Sequence, residues 1–184
     1  MKTKYILHGG YATTVNEENN KFFQEILKSD KKELNILLVL FAEKTEKCEQ
    51  RIIEVKKQFN INKSDKILKF SIAESKLFIE QIRDANIVYL NGGKTLRLLS
   101  ALREHAYFAD LIRGKTVAGE SAGANILSTY FYSNSLQECL KGLGLVPVKL
   151  ICHFTEERRG KLKDCPADLE ELLLPEYQYK VFEI

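Results

Sequence analysis

Ser121 stands between two glycines in the sequence Gly-Glu-Ser-Ala-Gly, residues 119–123. Residues 116–118 before it are strand-like, and residues 124–127 after it are helix-like. This context predicts a sharp strand-to-helix turn that exposes the Ser121 hydroxyl at the carboxyl end of a strand, as a nucleophile requires. The N–H of Ala122, at the start of the helix, is a candidate donor to an oxyanion. Packing alone is the alternative, because short motifs also match by chance.

A serine hydroxyl needs a base to react at neutral pH, and histidine is the usual one. The sequence has three histidines, so each can be considered in turn. His105 falls at the end of a predicted helix, on an expected outer surface. His8 and His153 both end predicted strands. His153 is preferred, because it follows the serine in the chain order typical of α/β hydrolases.

An acid normally orients the imidazole of a catalytic histidine. Glu138 lies between the serine and the histidine in the chain, which matches the usual order, so it is the preferred third member. Each carboxylate nearby could equally be a surface charge. The Glu120 side chain is expected to point away from the serine. The alternatives are three other carboxylates and two uncharged side chains: Glu120, Glu156, Glu157, Asn134 and Ser135.

Two further groups could complete a site. Gly92-Gly93 ends another predicted strand, and its open backbone makes Gly93 a candidate second oxyanion donor, with a plain tight turn as the alternative. Arg158 and Arg159 follow the histidine closely. They could bind a substrate carboxylate as a bidentate pair, although surface charges are the simpler interpretation.

The elements that must position these residues alternate between strands and helices. Such alternation predicts an α/β protein with three α/β/α layers, a mostly parallel central sheet and right-handed crossovers. Ligands then bind beyond the carboxyl ends of the strands. Residues 129–137 break the alternation, as a loop or a small hairpin. The predicted strands are 5–7, 36–41, 66–70, 87–90, 116–118, 146–153 and 177–181; the predicted helices cover about 14–29, 48–59, 77–82, 95–102 and 157–173.

Length and composition narrow the class of protein. The 184 residues predict a single domain, 1–184, with a substantial core. The apolar share of 45% and the charged share of 29% are typical of a soluble globular chain. No apolar run is long enough to cross a bilayer, so no membrane partner is expected. Lysines and glutamates are mixed at a net charge of +3, which argues against a nucleic-acid partner.

The four cysteines form no Cys-x-x-Cys pair and show no metal spacing: Cys48, Cys139, Cys152 and Cys165. Reduced thiols in a cytoplasmic protein are therefore expected. No metal site is expected from three scattered histidines. No cofactor is expected either, since Gly92-Gly93 lacks the third glycine of a dinucleotide fingerprint.

Three segments resemble the serine peptidase family of dipeptidase E (aspartyl dipeptidase) and cyanophycinase, which has the class I glutamine amidotransferase-like fold. They are Val-Tyr-Leu-Asn-Gly-Gly-Lys-Thr-Leu-Arg-Leu-Leu at 88–99, Val-Ala-Gly-Glu-Ser-Ala-Gly-Ala-Asn at 117–125, and Leu-Ile-Cys-His-Phe at 150–154. The resemblance implies a flavodoxin-like sandwich and a peptidase acting on dipeptides, short peptides or other small amides. It assigns Ser121 as nucleophile, His153 as base, and Gly93 with Ala122 as oxyanion donors.

The chain also departs from this family. Lys94 stands where asparagine is usual, and the segment between Ser121 and His153 is short and has no aspartate. These departures suggest a second hypothesis, a non-catalytic small-molecule-binding module that has lost the acid, with Lys94 neutralising an anionic ligand. Related amidotransferases use cysteine at the turn; Cys152 is a poor replacement, because it points to the opposite face of its strand from His153. Substrate specificity stays open, and a homodimer is possible.

Overall fold

The computed structural model describes residues 2–105, 107–166 and 168–184. Strands and helices alternate through the first two thirds of the chain, and strands dominate the remainder. Within the described ranges, no helix combines the length and the apolar character that crossing a bilayer requires. The first elements are β1 Lys4–His8, α1 Glu17–Leu27, β2 Glu33–Val39, α2 Thr45–Asn62, β3 Ile67–Ile72, α3 Phe78–Asp84, β4 Ile87–Leu90, α4 Thr95–Arg103, α5 Phe108–Leu111, β5 Thr116–Glu120 and α6 Ala122–Leu127. The later elements are β6 Ser128–Ser133, β7 Glu138–Lys141, β8 Val146–Cys152, a 3₁₀ turn at Glu156–Arg158, β9 Glu170–Leu174 and β10 Tyr179–Glu183.

The strands of the described chain form two sheets. The first has the order β10-β1-β5-β4-β2-β3 and is parallel except for β10, which runs antiparallel to β1. The second has the order β7-β6-β8-β9, with β8 parallel to both neighbours and β6-β7 an antiparallel hairpin. The predicted α/β class with a mostly parallel sheet is confirmed. The second sheet is not anticipated by the sequence.

Both faces of the first sheet are buried, because successive side chains of a strand point to opposite faces. Ile36 and Leu38 of β2 face α1 and α2, where they meet the rings of Phe22 and Phe59. Leu37, on the other face, joins the cluster formed by α3 to α6 and the second sheet. Such two-sided burial explains why β4 and residues 36–39 of β2, in the middle of the sheet, are apolar throughout.

Helix α6 lies between the two sheets and contacts both of them. All six of its residues are buried, and it contacts β1, β4 and β5 of the first sheet as well as β6 and β8 of the second. Its short length and small residues, Ala122, Gly123 and Ala124 among them, let the two sheets approach it closely. The amino end of α6 is therefore held from both sides.

The helix predicted over 157–173 is wrong. The segment has only the 3₁₀ turn at Glu156–Arg158, and residues 170–174 form β9 against β8. Gly160 adopts φ +84, and Pro166 has no backbone N–H to donate, so a helix cannot continue through either. Leu172 and Leu174 alternate with more exposed positions, as in a strand buried on one face.

The prediction of reduced thiols is also wrong for one pair. Cys139 of β7 forms a disulfide with Cys165, 26 residues later. Cys165 is buried in a small cluster with Tyr132, Ile151 and Leu162. The bond therefore fastens the segment after His153 onto the β6-β7 hairpin. This spacing has no sequence signature, since pairing depends on how the hairpin and the segment before β9 lie in space.

Candidate active site

Ser121 occupies a sharp turn between β5 and α6. Its backbone has φ 49 and ψ −100, a conformation that costs energy for a residue with a side chain. The Ser121 N–H donates to the His8 carbonyl at 2.9 Å, and the Ser121 carbonyl accepts from the Asn125 N–H at 2.8 Å. Hydrogen bonds to β1 and to α6 thus hold the strained turn, and the Oγ lies where the sequence places it, at the carboxyl end of a strand.

The glycines on both sides of the turn are sterically required. A Cβ at Gly119 would collide with the backbone of Gly123, and a Cβ at Gly123 would collide with the Leu90 carbonyl at the end of β4. The start of α6 therefore lies directly against the ends of β5 and β4.

His153, at the end of a strand of the second sheet, lies next to Ser121. It follows β8, has φ 51, and donates its backbone N–H to the Gly9 carbonyl at 2.9 Å. Its Nε2 lies 3.0 Å from Ser121 Oγ, within hydrogen-bond distance. Arg158 donates a hydrogen bond to the His153 carbonyl, which fixes the residue from behind. The structure therefore brings together the serine and the histidine selected from the sequence.

The carboxylate behind the imidazole is Glu176, not Glu138. Glu176 Oε1 lies 3.2 Å from His153 Nδ1, and the side chains of histidine and glutamate are 27% and 42% exposed. Glu138 begins β7, opposite Ser133, is exposed, and makes no hydrogen bond or ion pair with His153 within the described part of the chain. Sequence reasoning missed Glu176 because it searched mainly between the serine and the histidine. The sequence gives no clear signal for Glu176, because the strand that ends just before it, β9, lies in a segment whose spacing suits a helix.

The other candidates for orienting the imidazole are engaged elsewhere. Asn134 donates to the Cys152 carbonyl at 3.3 Å, and Ser135 contacts Ser133. Glu157 is exposed, and Glu156 pairs with Arg159. Glu120 is buried on the far side of β5, where its carboxylate accepts from the Ala12 N–H at 3.1 Å and from the Tyr89 hydroxyl at 3.2 Å. It points away from the serine, as the sequence suggests.

Two backbone segments can donate to a developing oxyanion near Ser121. The first N–H groups of α6, beginning with Ala122, have no acceptor within the helix. Gly93 follows β4 with φ +133, and a Cβ there would collide with the Ala42 carbonyl. Since Leu90 pairs with Gly119 in the sheet, the Gly92-Gly93 turn lies beside the serine turn.

His8 is a buried structural residue. Its Nε2 contacts Asn19 Oδ1 at 2.9 Å, and its Nδ1 accepts from the Gly10 N–H at 3.1 Å, an arrangement that requires the neutral ring with its proton on Nε2. Burial lowers the pKa of His8 to about 4. Both ring nitrogens are occupied, so His8 is not available as the base.

The two arginines that follow His153 do not form the bidentate pair considered from the sequence. Arg158 binds the His153 carbonyl, whereas Arg159 binds Glu156 at 2.6 and 2.7 Å, so the two arginines do not face one point as a pair. Burial, and then the charge of Glu120, raise the pKa of the Cys152 thiol. That thiol contacts the Ser121 carbonyl at 3.5 Å and is not the nucleophile.

Residues 6–171 match the model of peptidase family S51. The chain belongs to peptidase family S51. The matched range includes Ser121 and His153 and ends before Glu176. This finding confirms the family to which the resemblance points.

Individual relatives agree with the S51 assignment. Peptidase E of Citrobacter koseri is 31% identical over 109 residues, a match that covers 52% of this chain and 47% of that protein. Less than half of that relative is therefore represented. The crystal structure of a peptidase from an acI-B1 actinobacterium superimposes with a TM-score of 0.74 at 21% identity, over 99% of this chain and 84% of that one. The crystal structure of a Listeria monocytogenes EGD-e protein described as a candidate peptidase E superimposes with a TM-score of 0.71 at 16% identity, over 100% of this chain and 98% of that one. At these identities the two structures show the fold.

Proposed function

We propose that this S51 family member is a serine peptidase or small-amide hydrolase that acts on dipeptides or short peptides. The observation that supports it most strongly is the 3.0 Å contact between Ser121 Oγ and His153 Nε2, in a ring whose Nδ1 faces Glu176. A hydroxyl, an imidazole and a carboxylate in series are the parts of a serine hydrolase.

In this reaction Ser121 Oγ attacks the carbonyl carbon while its proton passes to His153 Nε2. The N–H groups of Ala122 and Gly93 stabilise the negative oxygen of the tetrahedral intermediate. His153 then gives the proton to the leaving amine, the C–N bond breaks, and an acyl-enzyme remains. Water attacks that ester after losing a proton to His153, which returns it to Ser121 as the acid product leaves. Glu176 keeps the Nδ1 proton in place and stabilises the imidazolium.

Arg158 is the better candidate of the two arginines for a substrate carboxylate. It already lies at the backbone of His153, whereas the Arg159 guanidinium is held by Glu156 and lies over the Phe154 ring at 5.4 Å. A guanidinium binds a carboxylate with two parallel hydrogen bonds. We therefore expect Arg158 to bind the substrate carboxylate and Arg159 to be a surface charge paired with Glu156.

The competing hypothesis of a non-catalytic binding module depended on a missing acid. Glu176 provides a carboxylate at the Nδ1 of His153, so that reason no longer applies. Lys94 is the N-cap residue of α4 and forms no ion pair among the described residues, which is compatible with either hypothesis. The hydrolase is the better supported function. A cytoplasmic location and a homodimer stay predictions.

Hydrolysis of a dipeptide panel tests this function. The panel pairs Asp, Glu, Ala and Leu as first residue with a common second residue, and the released amino acids are measured by mass spectrometry. We expect cleavage by the wild type and a loss of about 10³-fold or more in Ser121→Ala. A panel left intact by the wild type, or cleaved equally by Ser121→Ala, would contradict the proposal.

A further inference from the structure

Tyr11 borders the imidazole of His153, and Tyr177 lies beside Tyr11. The Tyr11 ring stands edge-on against it, with the centroids 5.2 Å apart and the planes at 80°. The Tyr177 ring lies 6.3 Å from Tyr11 at an interplanar angle of 34°. Tyr11 is 53% exposed, although it is a large aromatic side chain, and Tyr177 is half-buried. Together they present aromatic surface to solvent next to the catalytic base.

The backbone at both tyrosines is strained. Tyr11 has φ 59 and Tyr177 has φ 66, in the left-handed region that bulky residues avoid. Ser121 and His153 adopt the same unfavourable sign of φ. Strain of this kind persists where the surrounding structure enforces it, and it clusters at catalytic and ligand-binding positions. Four residues with positive φ are therefore connected in series by these contacts, and two of them, Tyr11 and Tyr177, have no part in the proton transfers.

Buried polar groups hold the Tyr11 loop in place. The Asn19 amide, fully buried, donates to the Tyr11 carbonyl at 2.8 Å. The carboxylate of Glu120 accepts from the Ala12 N–H at 3.1 Å. The Tyr177 N–H in turn donates to the Gly10 carbonyl at 3.1 Å, which ties the two tyrosine segments together. The aromatic rings are thus presented by a fixed backbone.

The chemistry of the proposed function determines what must lie here. The leaving nitrogen has to reach His153 Nε2 to receive its proton, so the leaving residue lies among the side chains that flank the imidazole. We infer that Tyr11 and Tyr177 form the subsite for the side chain of that leaving residue, and that it favours aromatic or large apolar side chains. Aromatic rings bind such groups by burial and by edge-to-face contact. This inference rests on the proposed function.

A purely structural role for the tyrosines would give a different result. If Tyr11 only supported the imidazole, its removal would slow every substrate by the same factor. A subsite acts instead on the difference between substrates, so the ratio of their kcat/KM values is the measurement that separates the two roles. That ratio does not change when a variant merely lowers the amount of active protein.

The experiment compares Asp-Phe with Asp-Ala and Ala-Phe with Ala-Ala, so that only the leaving residue differs within each pair. We expect the wild type to favour the Phe peptides by about tenfold in kcat/KM, the range that one hydrophobic contact allows. Tyr11→Ala and Tyr177→Ala should bring the ratio close to one, whereas Tyr11→Phe and Tyr177→Phe should keep it. The matched control is Tyr107→Ala, which should leave the ratio unchanged. Tyr107 is 70% exposed and lies at the start of α5.

Binding to the inactive Ser121→Ala protein makes the test independent of turnover. Calorimetric Kd values for the same peptides should show the same preference, and Tyr11→Ala added to this background should remove it. If no peptide is hydrolysed but the Kd preference and its loss are seen, the subsite stands and the proposed function fails. A ratio near one in the wild type, an equal loss for Phe and Ala peptides in both alanine variants, or no binding of either peptide would overturn the subsite. If an alanine variant does not fold, the kcat/KM ratio of the wild type and the Kd preference of Ser121→Ala still test the subsite.

Discussion

Glu176 Oε1 lies 3.2 Å from His153 Nδ1, although 23 residues separate the two positions in the chain. The reason is the pairing of two neighbouring parallel strands. Cys152 at the end of β8 is in register with Leu174 at the end of β9. The residues that follow each strand therefore meet at the same edge, one supplying the imidazole and the other the carboxylate.

Replacing Glu176 should slow catalysis without unfolding the protein. In Glu176→Gln the charge that stabilises the imidazolium is lost, so we expect kcat to fall by about 10²-fold while KM changes little. Steady-state kinetics on the best dipeptide of the panel measures the effect.

Glu138→Gln is the matched control for Glu176→Gln. Glu138 is an exposed glutamate of β7 that makes no hydrogen bond or ion pair with His153 among the described residues, so its kcat should equal that of the wild type. Equal losses in both variants, or a larger loss in Glu138→Gln, would show that Glu176 does not orient the base.

His8 should make the protein less stable as the pH falls. In the unfolded chain a histidine takes up a proton near pH 6.5, whereas the buried His8 has a pKa of about 4. The unfolded state thus binds more protons between these values, and the unfolding free energy decreases by up to about 3 kcal/mol as the pH drops from 6.5 to 4. Urea titrations at several pH values measure this decrease.

His8→Asn separates that contribution from the titration of carboxylates. The asparagine carbonyl can still accept a hydrogen bond, but it does not titrate in this range. The unfolding free energy of the wild type should therefore fall more steeply than that of His8→Asn below pH 6.5. Parallel curves for the two proteins would contradict the assignment of a neutral, buried His8.

The Cys139–Cys165 disulfide should stabilise the fold. A bond closing a loop of 26 residues removes chain entropy from the unfolded state, worth about 3 kcal/mol in the loop-closure model. Cys139→Ser should lose about that much unfolding free energy. Dithiothreitol should lower the stability of the wild type by a similar amount and leave the variant unchanged. Equal stability of the oxidised and reduced wild type would contradict a structural disulfide.

Local patterns were enough to predict the first half of the fold. Apolar strands such as Ile87–Leu90 and the glycines at 119 and 123 are dictated by short-range constraints: burial on both faces, and backbone contact too close for a Cβ. The parallel sheet and the strand-to-helix turn at Ser121 follow from these. The S51 family match covers residues 6–171, so it extends well beyond this half.

The later part of the chain could not be derived in this way. The charged spacing of 157–173 suits a helix, but Gly160 and Pro166 interrupt it, and pairing with β8 turns 170–174 into a strand. Glu176 and the disulfide depend on this second sheet. The sequence gives no sign of Tyr11 and Tyr177 either, because nothing in it places the loop of Tyr11 against His153 or that of Tyr177 against Tyr11.

Reaction with a fluorophosphonate tests the central claim, that His153 activates the Ser121 hydroxyl. Attack by Oγ forms a P–O bond and expels fluoride, so intact-protein mass spectrometry detects one added phosphonyl group, and peptide mapping locates it. We expect a single adduct on Ser121 in the wild type, none in Ser121→Ala, and labelling slowed at least about 10²-fold in His153→Ala. A wild type that stays unlabelled at Ser121, a Ser121→Ala protein labelled as fast as the wild type, or a His153→Ala protein labelled as fast as the wild type would contradict it.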